Sequence, residues 1–445
     1  MCNPTPCAQS QLTNLLHFRQ AVYGQVLTRQ RDAQFELLAA RLLSPPLHSF
    51  PTLSQSPVFH RAWPSAYAAI EQGRQDTPAL QQLLRQQLPP DQPLVFALDA
   101  TAWPRPAAAT LPDRQYVHSP TGAVLAESII VGQPYSLLAC GPTGGDSWAL
   151  PLDLRRIPSS SNAGDTGVTQ VQELAAARPP AAPPWVVVAD GGYGNAAFRA
   201  ALTGSAIGVL VRLRRDRVLY GPPPPYAGRG RPAVHGPRLA FRAPTSWPLP
   251  TRDVTVTDDR WGQVRVRYWA DQHDRAAAAT PFGGVCIASH QERSTPPEPL
   301  WLAWQGPPTD PVNLWRAYAQ RWTIEPSIRF RKTALGWTVP AWQSVAAMDR
   351  WTTLVSVAVW ELYLAAPLVG DRPLPWQRGQ PGAKTPSRVR AGCGALFVQI
   401  GSPARPPQPR GKPPGWPVGR RRTRRERCAV VKKSTKPAAP AKKAA

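Results

Sequence analysis

Apolar positions recur at helical spacing through the first part of the chain. Leu12, Leu15, Leu16, Val22, Leu27, Phe35, Leu38 and Leu42 predict helix over residues 11–43, and Pro45, Pro46 and Pro51 end it. Further helices are predicted over residues 56–71 and 79–87. The texture then changes. Residues 94–98 form a short, wholly apolar run, the pattern of a strand buried on both faces, and Asp99 ends it. Residues 124–138 and 148–154 predict the next two strands. Residues 166–178 predict a helix closed by Pro179-Pro180, and residues 185–189 a second buried strand, ended by Asp190. Gly191-Gly192 makes a turn, helix resumes over 194–202, and residues 207–219 read as a fifth strand. The helix before the fourth strand lets that strand return beside the first.

Residues 221–305 interrupt this alternation. A proline run at 222–225 is followed by strand-like pieces at 254–256, 264–268, 285–288 and 300–304, which predict a β-rich insertion. Helices return over 312–331 and 342–366. The chain thus divides into a helical segment (1–90), a first part of an α/β domain (91–220), the insertion (221–305), a second part of the domain (306–372) and a Pro-, Arg- and Lys-rich tail (373–445). Beyond residue 403 the composition predicts disorder. The N-terminal helices carry Arg29, Arg31, Arg41 and Arg61. They are either a DNA-reading module or a helical cap on the main domain.

Charge sharpens the picture. The 445 residues carry a net charge of +25, which points to a polyanionic partner, nucleic acid first. Residues 405–445 hold 14 Lys or Arg against one acid, Glu426, so the excess is shared between tail and body. Six dispersed cysteines form no C-x-x-C pair, and Cys2 and Cys7 alone make no zinc set. Dispersed thiols suit a reducing cytoplasm. No stretch of about 20 apolar residues predicts a membrane span, and no signal peptide is expected.

Two aspartates follow buried strands that should be neighbours. In open α/β sheets chemistry gathers at the carboxyl ends of strands. One such Asp is ordinarily a cap or a turn residue. Two on adjacent strands repel each other, and a divalent cation resolves the repulsion. Oxygen donors with no His or Cys nearby favour Mg²⁺ or Mn²⁺ over zinc. A third element runs from Tyr318 to Lys332. Tyr318, Arg321, Glu325 and Lys332 are spaced by 3, 4 and 7 residues, which places them in one sector of a helix. Pro326 argues against one continuous helix. Thr323 as the N-cap of a new helix, with Pro326 in its first turn, accommodates it.

These residues resemble the DDE transposases of bacterial insertion sequences, in the group with a Y-x2-R-x3-E-x6-K signature. Tyr318, Arg321, Glu325 and Lys332 match it at every spacing. The second Asp stands in Asp190-Gly191-Gly192-Tyr193 and the first in Leu98-Asp99-Ala100-Thr101, both as in that group. Pro326 departs from the commoner polar residue after the Glu. The resemblance implies a ribonuclease H-like fold over about residues 93–366, a mixed sheet flanked by helices with a β-rich insertion. It implies two metal ions, Asp99 bridging them and Asp190 and Glu325 each holding one. It gives Tyr318, Arg321 and Lys332 to phosphates. It offers Trp301 or Trp304 to stack on a flipped base, against the alternative that both pack in the insertion core.

The activity implied is cleavage of element ends and strand transfer into target DNA. The implied partners are terminal inverted repeats, target DNA and a second copy of the chain, at the nucleoid of a bacterial cytoplasm. Arg229-Gly230-Arg231-Pro232 resembles an AT-hook, a minor-groove motif, or is a solvated loop. Two other classes stay open: a catalytically silent DNA-binding protein and a non-transposing nuclease of the same fold.

Overall fold

The computed structural model describes residues 6–46, 48–118, 129–141, 147–258, 261–290, 299–371, 384–408, 415, 417–421 and 424–432. The apolar run at 94–98 opens β3 (Leu94–Pro104), and the run at 185–189 is β7 (Trp185–Ala189). Both are rich in β-branched and large apolar residues that a sheet buries on two faces. β3 and β7 pair in parallel, Leu94 opposite Trp185 and Leu98 opposite Ala189. The return of the fourth strand beside the first is therefore as expected. The crossover between them is α5 (Ala163–Ala176), whose Asn162 cap accepts from the Asp165 N–H. α6 (Ala196–Ala201) then leads to β8 (Gly208–Arg212), parallel to β7.

On the other side of β3 lie β5 (Ile129–Gly141), with β4 (Gln115–His118) and β6 (Leu150–Arg156) both antiparallel to it. The predicted strand at 124–138 begins in residues outside those described. The stretch predicted as one strand at 207–219 is two, β8 and β9 (Val218–Tyr220), separated by the polar turn Arg214–Arg217.

The insertion holds β10 (Arg238–Ala240), β11 (Arg252–Asp258), β12 (Gly262–Asp274), β13 (Phe282–His290) and β14 (Leu300–Gln305). It continues the main sheet, because β14 pairs with β8, Leu302 opposite Arg212. The order is β10-β9-β12-β13-β14-β8-β7-β3-β5-β4, with β11 beside β12 and β6 beside β5. The fold is thus α/β, one large mixed sheet flanked by helices, consistent with a ribonuclease H-like nuclease.

The N-terminal segment comprises α1 (Pro6–Ala21), a π-turn at Val22–Val26, β1 (Leu27–Arg29), α2 (Arg31–Leu43), α3 (Trp63–Glu71), β2 (Arg74–Gln75) and α4 (Thr77–Gln86). Its Leu15, Phe18 and Leu38 belong to the same buried cluster as Trp351 and Val355 of α9 (Val345–Ala365). Of its four singled-out arginines, Arg41 is buried and donates to the Ala334 carbonyl at 2.8 Å, so it is withheld from any external partner. α9 with the 3₁₀ turn that follows it corrects a sequence expectation: Val345–Leu368 is, by length and composition, long and apolar enough to cross a membrane. Most of it is buried inside the molecule.

The tail also departs from expectation. α10 (Pro386–Gly392) and α11 (Gly394–Ile400) bury Val389, Cys393 and Phe397 in the main core. Beyond residue 403, the Arg405 N–H donates to Asp32 Oδ1 at 3.0 Å and the Cys428 N–H to the Ala109 carbonyl at 2.9 Å. The compositional bias toward Pro and Arg hid these attachments.

Candidate active site

Asp99 sits within β3, one residue past the Leu98–Ala189 pair, and Asp190 follows Ala189 directly. The two carboxylates therefore stem from neighbouring positions on adjacent parallel strands, whose backbones lie about 4.8 Å apart. The side chain of Asp99 is 18% exposed. Its Oδ1 accepts from the Ala100 N–H at 2.8 Å. Burial, and then the charge of Asp190, push its carboxyl up from the ordinary 3.8 to about 6, against the opposing pull of Arg321. Asp190 is steadied by the turn it begins, Oδ1 accepting from the Gly192 N–H at 2.9 Å. Tyr193 of that turn is buried against Phe198. Gly194 lies so close to β8 that a Cβ there would meet the Arg212 carbonyl oxygen at 2.2 Å. Close backbone approach requires the glycine.

Glu325 comes from the other side of the cleft. α7 (Pro311–Gln320) starts with Asp310 capping the Val312 N–H and Pro311 in the first turn. A 3₁₀ turn, Arg321–Thr323, separates it from α8 (Ile324–Thr333). The break falls where Pro326 demanded it, with Thr323 at the helix start. The Thr323 hydroxyl, however, donates back to the Gln320 carbonyl at 2.9 Å instead of accepting from the new helix. α8 is anchored on its inner face. Ile324 is fully buried, and Ser327 and Arg331 both donate to the Ala149 carbonyl, at 3.1 and 2.7 Å. Glu325 is left on the cleft side with its side chain 50% exposed.

Arg321 ties the site together. Its Nη2 donates to Glu325 Oε1 at 2.8 Å, and its Nη1 lies 4.0 Å from Asp99 Oδ2. Its guanidinium sits 5.7 Å from the centre of the Tyr318 ring. Lys332 also faces the cleft, and burial lowers its pKa against the attraction of Asp99.

Tyr318 does not reach the cleft. It is 6% exposed, and burial raises the pKa of its hydroxyl. Its ring lies beside the Arg321 guanidinium, which stands between it and the cleft lining. Of the two readings of the tryptophans, the structure places both side chains in the core. Trp301 is 2% exposed and stacked on Phe241 at 3.7 Å, with Trp247 and Trp269 around it. Trp304 is 2% exposed and donates to the Pro307 carbonyl at 3.0 Å. Both are core residues, with no face open to a base. Arg229 and Arg231 are exposed on a loop shaped by left-handed Gly228 and Gly230, away from the cleft walls. The Arg422-Thr423 part of the tail run lies outside the described residues, as do Cys2 and the other residues before Pro6.

The cleft enclosing Asp99, Asp190, Arg321, Glu325 and Lys332 measures about 1440 Å³. That exceeds the several hundred Å³ of ordinary small-molecule pockets and suits a polymer. Its walls add Arg212, Arg214 and Arg215 from the end of β8, Arg242, and Arg329 of α8. Sequence reading passed over these. The signal was the run Arg212-Leu213-Arg214-Arg215 directly after a buried strand.

The donors are hard carboxylate oxygens. Asp99 and Asp190 carry the mutual repulsion that a divalent cation relieves, and this fits Mg²⁺ or Mn²⁺. Among the described residues no three acidic, His or Cys side chains converge on one point, and the Glu325 carboxylate is paired with Arg321.

Residues 22–273 match the family described as DDE superfamily endonuclease. That span includes Asp99 and Asp190 and stops short of Glu325. No curated protein matches the chain.

Proposed function

We propose, from the premise that the chain belongs to the DDE superfamily endonucleases, that it is a transposase of the Y-R-E-K group. In this reading it cuts the ends of its element and joins them to target DNA. DNA is the substrate the family implies, and DDE nucleases typically use divalent metals. The observation that carries the finer reading is the pair Asp99–Asp190 on adjacent strands, at the floor of a large cleft walled by arginines. Arg321, Glu325 and Lys332 on the facing helix add the signature's spacing.

Asp99, Asp190 and Glu325 would hold the metal ions. Bound there, the ions supply activation of the attacking oxygen and neutralise charge on the departing 3′-oxygen. The protein's part is positional. The turn after Asp190 fixes one carboxylate, and β3 fixes the other. Arg321 releases Glu325 to the site as it takes a phosphate; its planar fork suits two phosphate oxygens, and Lys332 adds a point charge. Tyr318 holds the Arg321 guanidinium by its ring face and attacks nothing. Two copies would act together, one on each element end.

The test is incubation of the purified protein with its element's terminal repeats and Mg²⁺. Strand cleavage followed by joining supports the proposal. Binding without cleavage identifies a silent DNA-binding protein, and cutting of arbitrary DNA without joining a nuclease. Asp190→Asn should retain DNA binding and lose cleavage; a variant that still cuts would overturn the site assignment.

A further inference from the structure

β4 ends the order of the sheet, so among the described residues no further strand lies along its outer edge. The end of the chain returns to that edge. Val431 bridges Gln115 in parallel, and its N–H donates to the Arg114 carbonyl at 2.7 Å. The Cys428 N–H donates to the Ala109 carbonyl at 2.9 Å, and Arg114, itself buried, donates Nη2 to the Cys428 carbonyl at 3.0 Å. Every one of these bonds uses tail backbone. Arg424, Arg425, Arg427 and Lys432 flank the attachment and are exposed, and among the described residues none of them forms an ion pair. Gln115 through His118, the strand the tail joins, form part of the cleft wall. A basic segment has thus been fastened through its own backbone beside a basic cleft, with its basic side chains left over.

We propose that residues 424–432 are a docked arm that grips the phosphate backbone of the duplex occupying the catalytic cleft. The inference rests on the cleft being a DNA site. A free basic tail would bind duplex anywhere along its length. An arm pinned at Cys428 and Val431 has already lost its chain entropy, so its charges act at one place and add to those of Arg212, Arg214 and Arg215 on the cleft wall.

Docking and charge can be separated. Both variants are made in full-length protein carrying Asp190→Asn, so that substrate is not consumed, and binding of a labelled duplex is measured against salt. R424Q/R425Q/R427Q/K432Q keeps the docking and removes the charge. It should flatten the plot of log affinity against log salt by roughly 0.9 for each phosphate the arm no longer neutralises. C428P/V431P keeps every charge and removes the two amide donors. It should weaken binding about tenfold or more at moderate salt, with the melting temperature of the body unchanged. Should the proline pair also lower that temperature, the glutamine variant, whose docking is intact, decides alone. An unchanged salt slope in the glutamine variant overturns the inference. A stable proline variant that binds as tightly as its parent does so as well, since the tail would then act as a free tether. Loss of all duplex binding by the unaltered protein would sink this inference and the function proposed above together; unaltered binding with two silent variants would sink this inference alone.

Discussion

Asp99→Asn separates what the site does for the fold from what it does for the reaction. The Asp99 carboxyl is raised from 3.8 to about 6, chiefly by burial and next by Asp190. A shift of about two units, at ~1.4 kcal/mol per unit, means that the ionised form destabilises the metal-free fold by up to about 3 kcal/mol. The sign follows from the proton count. The folded state binds this proton more tightly than the unfolded chain. The penalty is therefore absent below pH 3.8, grows between 3.8 and 6, and is complete above 6. Asparagine has nearly the same shape and still accepts from the Ala100 N–H, so Asp99→Asn removes the charge with little else. In EDTA at pH 8 the variant should be more stable than the parent by roughly 2–3 kcal/mol, falling to about 1 kcal/mol at pH 4.5. Urea midpoints at the two pH values measure this. Added Mg²⁺ should raise the parent's midpoint and leave the variant's nearly unchanged, because a ligand stabilises the state that binds it. A variant no more stable than the parent at pH 8, or a gain equal at both pH values, would refute the argument.

Other substitutions probe other parts of the molecule. Glu361→Gln leaves Arg19 buried without its charge partner, and should lower stability by about 3–5 kcal/mol, read from urea denaturation. Gly194→Ala pushes a Cβ into the Arg212 carbonyl and shifts the turn that carries Asp190; cleavage should fall by at least about a hundredfold while duplex affinity changes little, measured on the same preparation. Arg321→Ala should reduce the salt dependence of DNA binding by about 0.9 for each phosphate that the arginine had neutralised, as read from a salt titration.

The parts of this protein that were legible early share one property: their signal is local. The apolar runs at 94–98 and 185–189 need only their own composition to declare buried strands, and both became paired neighbours. The helix break near Thr323 follows from the ring of Pro326. The insertion strands were legible as strands, yet their merger into the main sheet was not, because the β14–β8 pairing joins residues about ninety positions apart. α10 and α11 hid for the opposite reason. Each buries only one or two side chains, Val389 and then Phe397 with Cys393 between them, and Pro- and Arg-rich flanks drown so short a pattern.

The candidate site divides along the same line. Sequence by itself determined that two aspartates directly follow short buried apolar runs, that a Glu stands at the start of a proline-bearing helix, and that the whole chain is strongly basic. These are statements about residue type and near-neighbour spacing. Sequence placed Asp99 at a strand end, whereas β3 continues through it to Pro104 because residues 99–104 stay paired with β5. Only the tertiary structure decided which side chains face the cleft. It buried Tyr318, Trp301 and Trp304, brought Arg212, Arg214 and Arg215 to the wall, turned Glu325 toward Arg321, and returned Cys428 and Val431 to the edge at Gln115. The physical reason is that exposure is a property of what packs over a residue. For these positions the covering element is distant in sequence.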